Sequence, residues 1–161
     1  MTYLEHVSEL FDASVLAAKL PGEWRVVATN FPMWLDGTRH NPQFAYESVD
    51  GDELTLSDTV SYTTTGGEVK TIVGTDRLRG DEFEWRGRGW LKIFTSRWQV
   101  VGANDDFTII AIRFSRSRLS PAGADVLVRS NVTEPAVRSI VAHATEQFGL
   151  STEKFASLTW L

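Results

Sequence analysis

The sequence predicts an all-β protein, an eight-stranded antiparallel up-and-down β-barrel with an N-terminal helix and a C-terminal helix packed on it. Three observations carry this. Strand-like runs rich in β-branched and aromatic residues recur from residue 22 to residue 129, and turn residues separate them at regular intervals. Nearly every link between runs is hairpin-short, which favours a closed meander over the alternative, a two-sheet sandwich. Helix-period apolar spacing is confined to the two ends of the chain.

The elements follow in order. Leu4, Val7, Leu10, Phe11 and Val15 recur at helical spacing, so residues 3–18 are expected to form an amphipathic helix ending near Pro21. "EWRVVATNF" is the first strand, followed by the loop "PMWLDGTRHNP". "QFAYESV" and "ELTLSDTVSYTT" flank Asp50-Gly51-Asp52; Gly66-Gly67 leads to "EVKTIVGTDRL", and Gly80-Asp81 to "EFEWRGRGWLKIF". "RWQVVGA", the turn at Asn104-Asp105-Asp106, "FTIIAIRFS" and "DVLVR" complete eight strands. Thr133 can cap a further helix, with Pro135 in its first turn and Gly149 at its end; Val137, Ile140, Val141, Ala144 and Phe148 form its apolar stripe. "FASLTWL" is a last short strand. One domain then spans 1–161: a helical extension (1–19), the barrel (20–130), the helix (133–149) and the final strand (155–161).

Composition narrows the function. A net charge of −5 and no basic stripe beyond the short "RGRG" at Arg86–Gly89 disfavour a nucleic-acid partner. The absence of cysteine excludes disulfides, thiolate metal sites and a cysteine nucleophile. No apolar run is long enough for a transmembrane segment. Glu5, Glu9 and Asp12 interrupt any signal-peptide core, so the expected location is cytoplasmic for the sequence as written, and exported if it is a processed form. His6, His40 and His143 lack metal-ligand spacing, no metal or other cofactor is expected, and the oligomeric state is left open between monomer and homodimer.

Several of these residues together resemble a known family. Gly22-Glu23-Trp24 matches the Gly-x-Trp signature of the lipocalins at the mouth of the first strand. Asn104-Asp105-Asp106-Phe107 looks like their acidic-aromatic turn between strands six and seven, and Arg129 like their arginine at the end of strand eight. The block "VLVRSNVTEPAVRSIVAHATEQFGLSTEKF" is most similar to bacterial lipocalins, and the resemblance covers about residues 20–161. It implies that Trp24 closes the narrow end of the barrel, that Arg129 packs across its indole, and that the first loop arches over the open end. Arg25 stands where the family often has Tyr, and the lipoprotein cysteine of many bacterial members is missing.

Alternation then sorts each strand into faces. Trp85, Gly87, Gly89, Leu91 and Ile93 are expected inward, with the glycines permitting either a bend or a cavity. Val26, Ala28, Phe44, Tyr46, Ser48, Trp98, Val100, Ile110 and Ile112 are expected inward from neighbouring strands. With Phe31 and Trp34 from the apolar first loop, Phe44, Tyr46, Trp85, Gly87, Gly89, Trp98, Val100 and Ile110 are the expected ligand-binding set. Tyr46, Asp58, Asp76 and Arg113 are the candidate acid–base residues, each needing to face inward.

Three functions fit. The first is binding or transport of a small lipophilic ligand: a fatty acid, lysolipid, isoprenoid or polyketide-like molecule. The second is a cofactor-free cyclase or isomerase that folds a hydrophobic intermediate inside the barrel. The third is docking on a membrane or a partner through the Trp34 loop.

Overall fold

The computed structural model describes residues 11–89, 95–117 and 121–161. Helix α1 (Ala13–Lys19) precedes strand β1 (Gly22–Thr29) and the one-turn helix α2 (Pro32–Leu35). Then come β2 (Arg39–Val49), β3 (Thr55–Thr64), β4 (Val69–Arg79), β5 (Glu82–Gly87), β6 (Thr95–Ala103), β7 (Ile109–Phe114) and β8 (Gly123–Arg129). Helices α3 (Val137–His143) and α4 (Thr152–Ala156) and strand β9 (Thr159–Trp160) follow.

Every sequential strand pair from β1 to β8 is antiparallel, and β8 returns to β1, which closes the barrel. In the closing ladder Trp24 lies opposite Arg129, and Thr29 opposite Asp125. Strand β2 pairs with β1 only over Gly22–Arg25; β9 takes up the far end of β1 at Ala28 and Thr29. The predicted barrel is therefore the fold.

Two bulges set which side chains point in. The register of β1 on β8 shifts between Val26 and Ala28, so Ala28 turns outward into the layer beneath α3 and Thr29 joins Asp125 on the inner face. Ala28 was expected inward; an extra residue in the strand reverses the parity after it. Strand β6 shifts likewise between Val100 and Gly102, and Gly102 meets the backbone of Phe148 so closely that a Cβ there would collide with it. Ser48, also expected inward, is exposed beyond Tyr46, where β2 nears its end.

The core has two layers. Inside the barrel Trp24, Val26, Leu56, Phe83, Val100, Ile110, Ile112 and Leu127 pack together. Outside it Ala28, Ile109, Ala111, Val126 and Val128 pack against Val137, Val141 and Phe148. The predicted apolar stripe of the C-terminal helix does this work, although the helix is shorter than 133–149. Ser130 N–H donates to the Glu23 carbonyl at 2.9 Å and Val132 N–H to the Arg129 carbonyl at 3.0 Å, which ties residues 130–132 to the barrel rim. Thr133 therefore does not cap; the Glu134 carboxylate accepts from Ala136 N–H at 3.1 Å instead. Ser151 caps α4, which occupies part of the expected final strand and leaves two residues in β9.

Helix α1 answers where the N-terminal segment goes. Asp12 caps it, and Leu16 and Leu20 are buried against Trp24 in the interior cluster. Phe11 meets Phe107 edge to face at 6.2 Å. The helix thus plugs the Trp24 end and lies away from the apolar first loop. The first part of its expected span, with His6, falls outside the described residues.

Candidate functional site

The closed end is built around one indole. Trp24 is fully buried, its Nε1–H donates to the Leu20 carbonyl at 2.9 Å, and Phe107 packs edge-on at 6.4 Å. The Arg129 guanidinium lies 3.9 Å from the ring centroid. Its Nη1 donates to the Pro21 carbonyl at 2.7 Å, and its Nη2 bonds the Lys19 carbonyl. Gly22 has φ +126°, and a Cβ there would stand 2.5 Å from Arg129 Nη1, so the glycine of the signature makes room for the arginine. Arg25 donates to the Arg129 carbonyl at 2.9 Å and so clips β8 to β1 from outside. The turn at 104–108 is held by Asn104 Oδ1, which accepts from the N–H groups of Thr108 and Ile109 at 2.9 and 2.8 Å.

The opposite end is covered by the first loop. Phe31 crosses the mouth, edge to face with Phe114 at 4.9 Å, and sits over Gly123, where a side chain would strike its ring. The Asn30 side chain anchors this segment by accepting from Ala124 N–H at 2.8 Å. Trp34 is only 6% exposed and packs edge to face with Tyr62 at 6.0 Å. A docking role for Trp34 is not favoured by this position, because the ring faces inward.

Between the two ends lies a cavity of about 260 Å³. Phe31, Trp34, Phe44, Tyr46, Trp85 and Trp98 of the expected ligand set line it. Val100 and Ile110 are buried in the interior cluster but do not reach the cavity wall. Gly87 is buried in β5 yet also away from the wall, and Gly89 is exposed at the strand end. The Trp85 indole instead packs on Gly74, the residue of the neighbouring strand paired with Gly87. Leu91 and Ile93 fall outside the described residues. Met33, Val60, Ile72 and Phe114 complete the apolar wall.

The floor of the cavity is acidic. Asp58 and Asp76, from the adjacent strands β3 and β4, are 5% and 0% exposed, and Asp125 of β8 is 1% exposed. Tyr46 and Phe83 both stack on Trp98, at 5.4 and 4.6 Å, and the Trp98 Nε1–H donates to Asp76 Oδ1 at 3.0 Å. Asp58 Oδ1, Asp76 Oδ2 and both oxygens of Asp125 lack a hydrogen bond of good geometry, although Asp58 and Asp76 stand side by side and Thr29 lies beside Asp125. Burial pushes Asp125 up to about 7, tempered by the Thr29 hydroxyl opposite it. Burial likewise raises Asp58 to about 6, and it raises Asp76 well above the usual carboxylate range, with the Asp58 charge adding to the effect. The phenol of Tyr46 is raised by burial and then by these three acids.

Of the acid–base candidates, Tyr46, Asp58 and Asp76 therefore face inward, and Arg113 does not. It is exposed, because Ile112 and Phe114 on either side take the inner face of β7. Asp125 was missed, although a signal was present: with Arg129 placed over Trp24, strand parity puts Leu127 and Asp125 on that same face. Among the described residues, no group of three His, Cys, Asp or Glu is arranged to hold a metal ion. No described helix is long and apolar enough to cross a membrane.

No protein-family model matches the sequence, and no curated protein matches it at a significant level. Solved structures do. The siderocalin Ex-FABP, described as functioning through dual ligand specificities, is similar with a TM-score of 0.58 at 15% identity, over 89% of this chain and 93% of that one. Lobster apocrustacyanin A1 gives a TM-score of 0.64 at 11% identity, over 99% and 85%. The bovine lipocalin allergen Bos d 2 gives 0.56 at 14% identity, over 89% and 93%. The closed barrel, its plugged end and these likenesses together establish that the chain has the lipocalin fold.

Proposed function

We propose that this protein binds and carries a small lipophilic molecule inside the barrel, beneath the Phe31–Trp34 loop. The observation that carries this is the preformed cavity of about 260 Å³ walled by seven aromatic residues. Pockets for drug-sized ligands run from roughly 300 to 1,000 Å³. The space therefore suits a compact isoprenoid or aromatic polyketide better than a lysolipid. A fatty acid fits worst, since its carboxylate would enter beside Asp58 and Asp125 and find no cation on the cavity wall among the described residues. The likeness to a siderocalin described by its ligand specificities supports a binding role, and the C-terminal block supports a bacterial type of this fold.

Native mass spectrometry of the purified protein, followed by solvent extraction, tests the proposal. A stoichiometric lipophilic passenger is expected. A barrel that stays empty after exposure to a hydrophobic extract of its own cells would overturn it.

A cyclase or isomerase is the second reading. What favours it is the pair Asp58 and Asp76, each buried with one oxygen that lacks a hydrogen bond of good geometry, and flanked by the Tyr46 phenol. Raised carboxyl pKa values keep an acid available near neutral pH. A passenger that leaves chemically altered, and unaltered from an Asp76→Asn variant, would support this reading over carriage alone.

A further inference from the structure

When the acids of the cavity ionise, no cation among the described cavity residues is there to pair with them. Asp58 and Asp125 both line the cavity, from β3 and β8. Asp76 of β4 and Tyr46 of β2 stand close enough for electrostatic coupling, Thr29 of β1 lies beside Asp125, and Thr95, Ser96 and Ser117 add hydroxyls to the cavity wall. All of these are acids or hydroxyls. No Lys, Arg or His lines the cavity among the described residues, and Arg129 is occupied with Trp24 at the closed end. Three carboxylate oxygens at its wall, one on Asp58 and two on Asp125, lack a hydrogen bond of good geometry.

A buried carboxylate without a partner costs several kcal/mol, by the general scale of ion desolvation. Asparagine at either position would remove that charge with little change of shape. The site has the opposite design: carboxyl groups and hydroxyls with no cation beside them among the described residues, in an aromatic cage. An aromatic wall is itself attractive to a cation, and more so where water is excluded. A metal ion is a poor candidate, because no three of these groups converge as ligands. A neutral lipid would bring no counter-charge, and an anionic one would be repelled.

We propose that the ligand carries a protonated basic nitrogen, as a small aromatic or alicyclic amine does, seated between Asp125 and Asp58 with its apolar body against Trp34, Phe44, Trp85 and Trp98. This rests on the proposed binding function and adds the ligand's charge to it. The ammonium N–H groups donate to the carboxylates, and the positive charge offsets theirs.

The experiment is isothermal titration at pH 8 with three probes of one shape: 2-(1-naphthyl)ethylamine, 2-(1-naphthyl)ethanol and 1-naphthylacetate. The amine is expected to bind at least tenfold more tightly than the alcohol, and the acetate most weakly. In Asp125→Asn the amine should fall to the affinity of the alcohol while the alcohol is unchanged, which also shows that the variant is folded. Asp58→Asn gives the same reading independently. If the alcohol or the acetate binds as well as the amine, the cation seat is wrong and the lipophilic cavity stands. If amine preference survives both variants, the assignment to these carboxylates is overturned. If none of the three binds, the cation seat and the binding cavity fall together.

Discussion

The Arg129 guanidinium stands over Trp24, 3.9 Å from the ring centroid, and also reaches the backbone just before β1. One arginine thus joins the last barrel strand, the first strand and the helix that plugs the end. Trp24→Ala should lower the unfolding free energy by about 3 to 5 kcal/mol, the range for emptying a buried aromatic site. Gly22→Ala should also destabilise, because it puts a methyl group where Arg129 passes. Denaturant titration checks both, and full stability of Trp24→Ala would contradict the plug.

The acidic cavity makes stability fall as pH rises. Asp125 is held up to about 7 and Asp58 to about 6, against about 3.9 in an unfolded chain. Between these limits the folded state holds more protons than the unfolded one, so its relative stability is complete below pH 4 and is lost as pH climbs through 6 and 7. Each such group contributes a slope of up to about 1.4 kcal/mol per pH unit. The ligand-free protein should melt higher at pH 5 than at pH 8, and Asp125→Asn should raise the melting temperature at pH 8 while changing little at pH 5. A flat profile would mean that these acids are solvated.

Gly102 is where the outer helix segment touches the barrel. Gly102→Ala should cost about 1 to 3 kcal/mol, the range for overpacking a dense site. Its Cβ has no free direction, since it meets Phe148 backbone and the flexible end of no side chain. An unchanged denaturation midpoint would show that the segment can slide.

Trp34 closes the mouth. If the cavity is the binding site, Trp34→Ala should weaken a bound passenger by about 2 kcal/mol or more, mostly through faster dissociation. Stopped-flow displacement measures this, with far-ultraviolet circular dichroism as the control for the barrel.

Much of this was legible in the chain. Turn residues between β-branched runs fixed the eight strands, and Gly22, Trp24 and Arg129 fixed the closed end before any coordinates. Period-two alternation placed Phe44, Tyr46, Trp85 and Trp98 inward. It failed at Ala28, because a bulge leaves no compositional mark; the capping reading of the C-terminal helix failed separately, because hydrogen bonds from residues 130 and 132 to the rim override the cap at Thr133. Arg113 was a different error: Ile110 and Ile112 inward already required it to face out. Asp58 and Asp76 were visible as candidates, but their shared burial with Asp125 depends on three strands meeting across the barrel, which no local pattern encodes.

The β1–β8 ladder has a kinetic consequence. Trp24 must find Arg129, which is separated from it by most of the chain, and β1 gains its second long partner only when that happens. Contacts so distant in sequence carry a large loop-closure entropy before they return any stability, and folding slows accordingly. Until β8 arrives the aromatic wall of an open sheet stands exposed to water and to other chains. Ring closure should therefore limit the folding rate, and the interval before it is when this protein is most prone to aggregate.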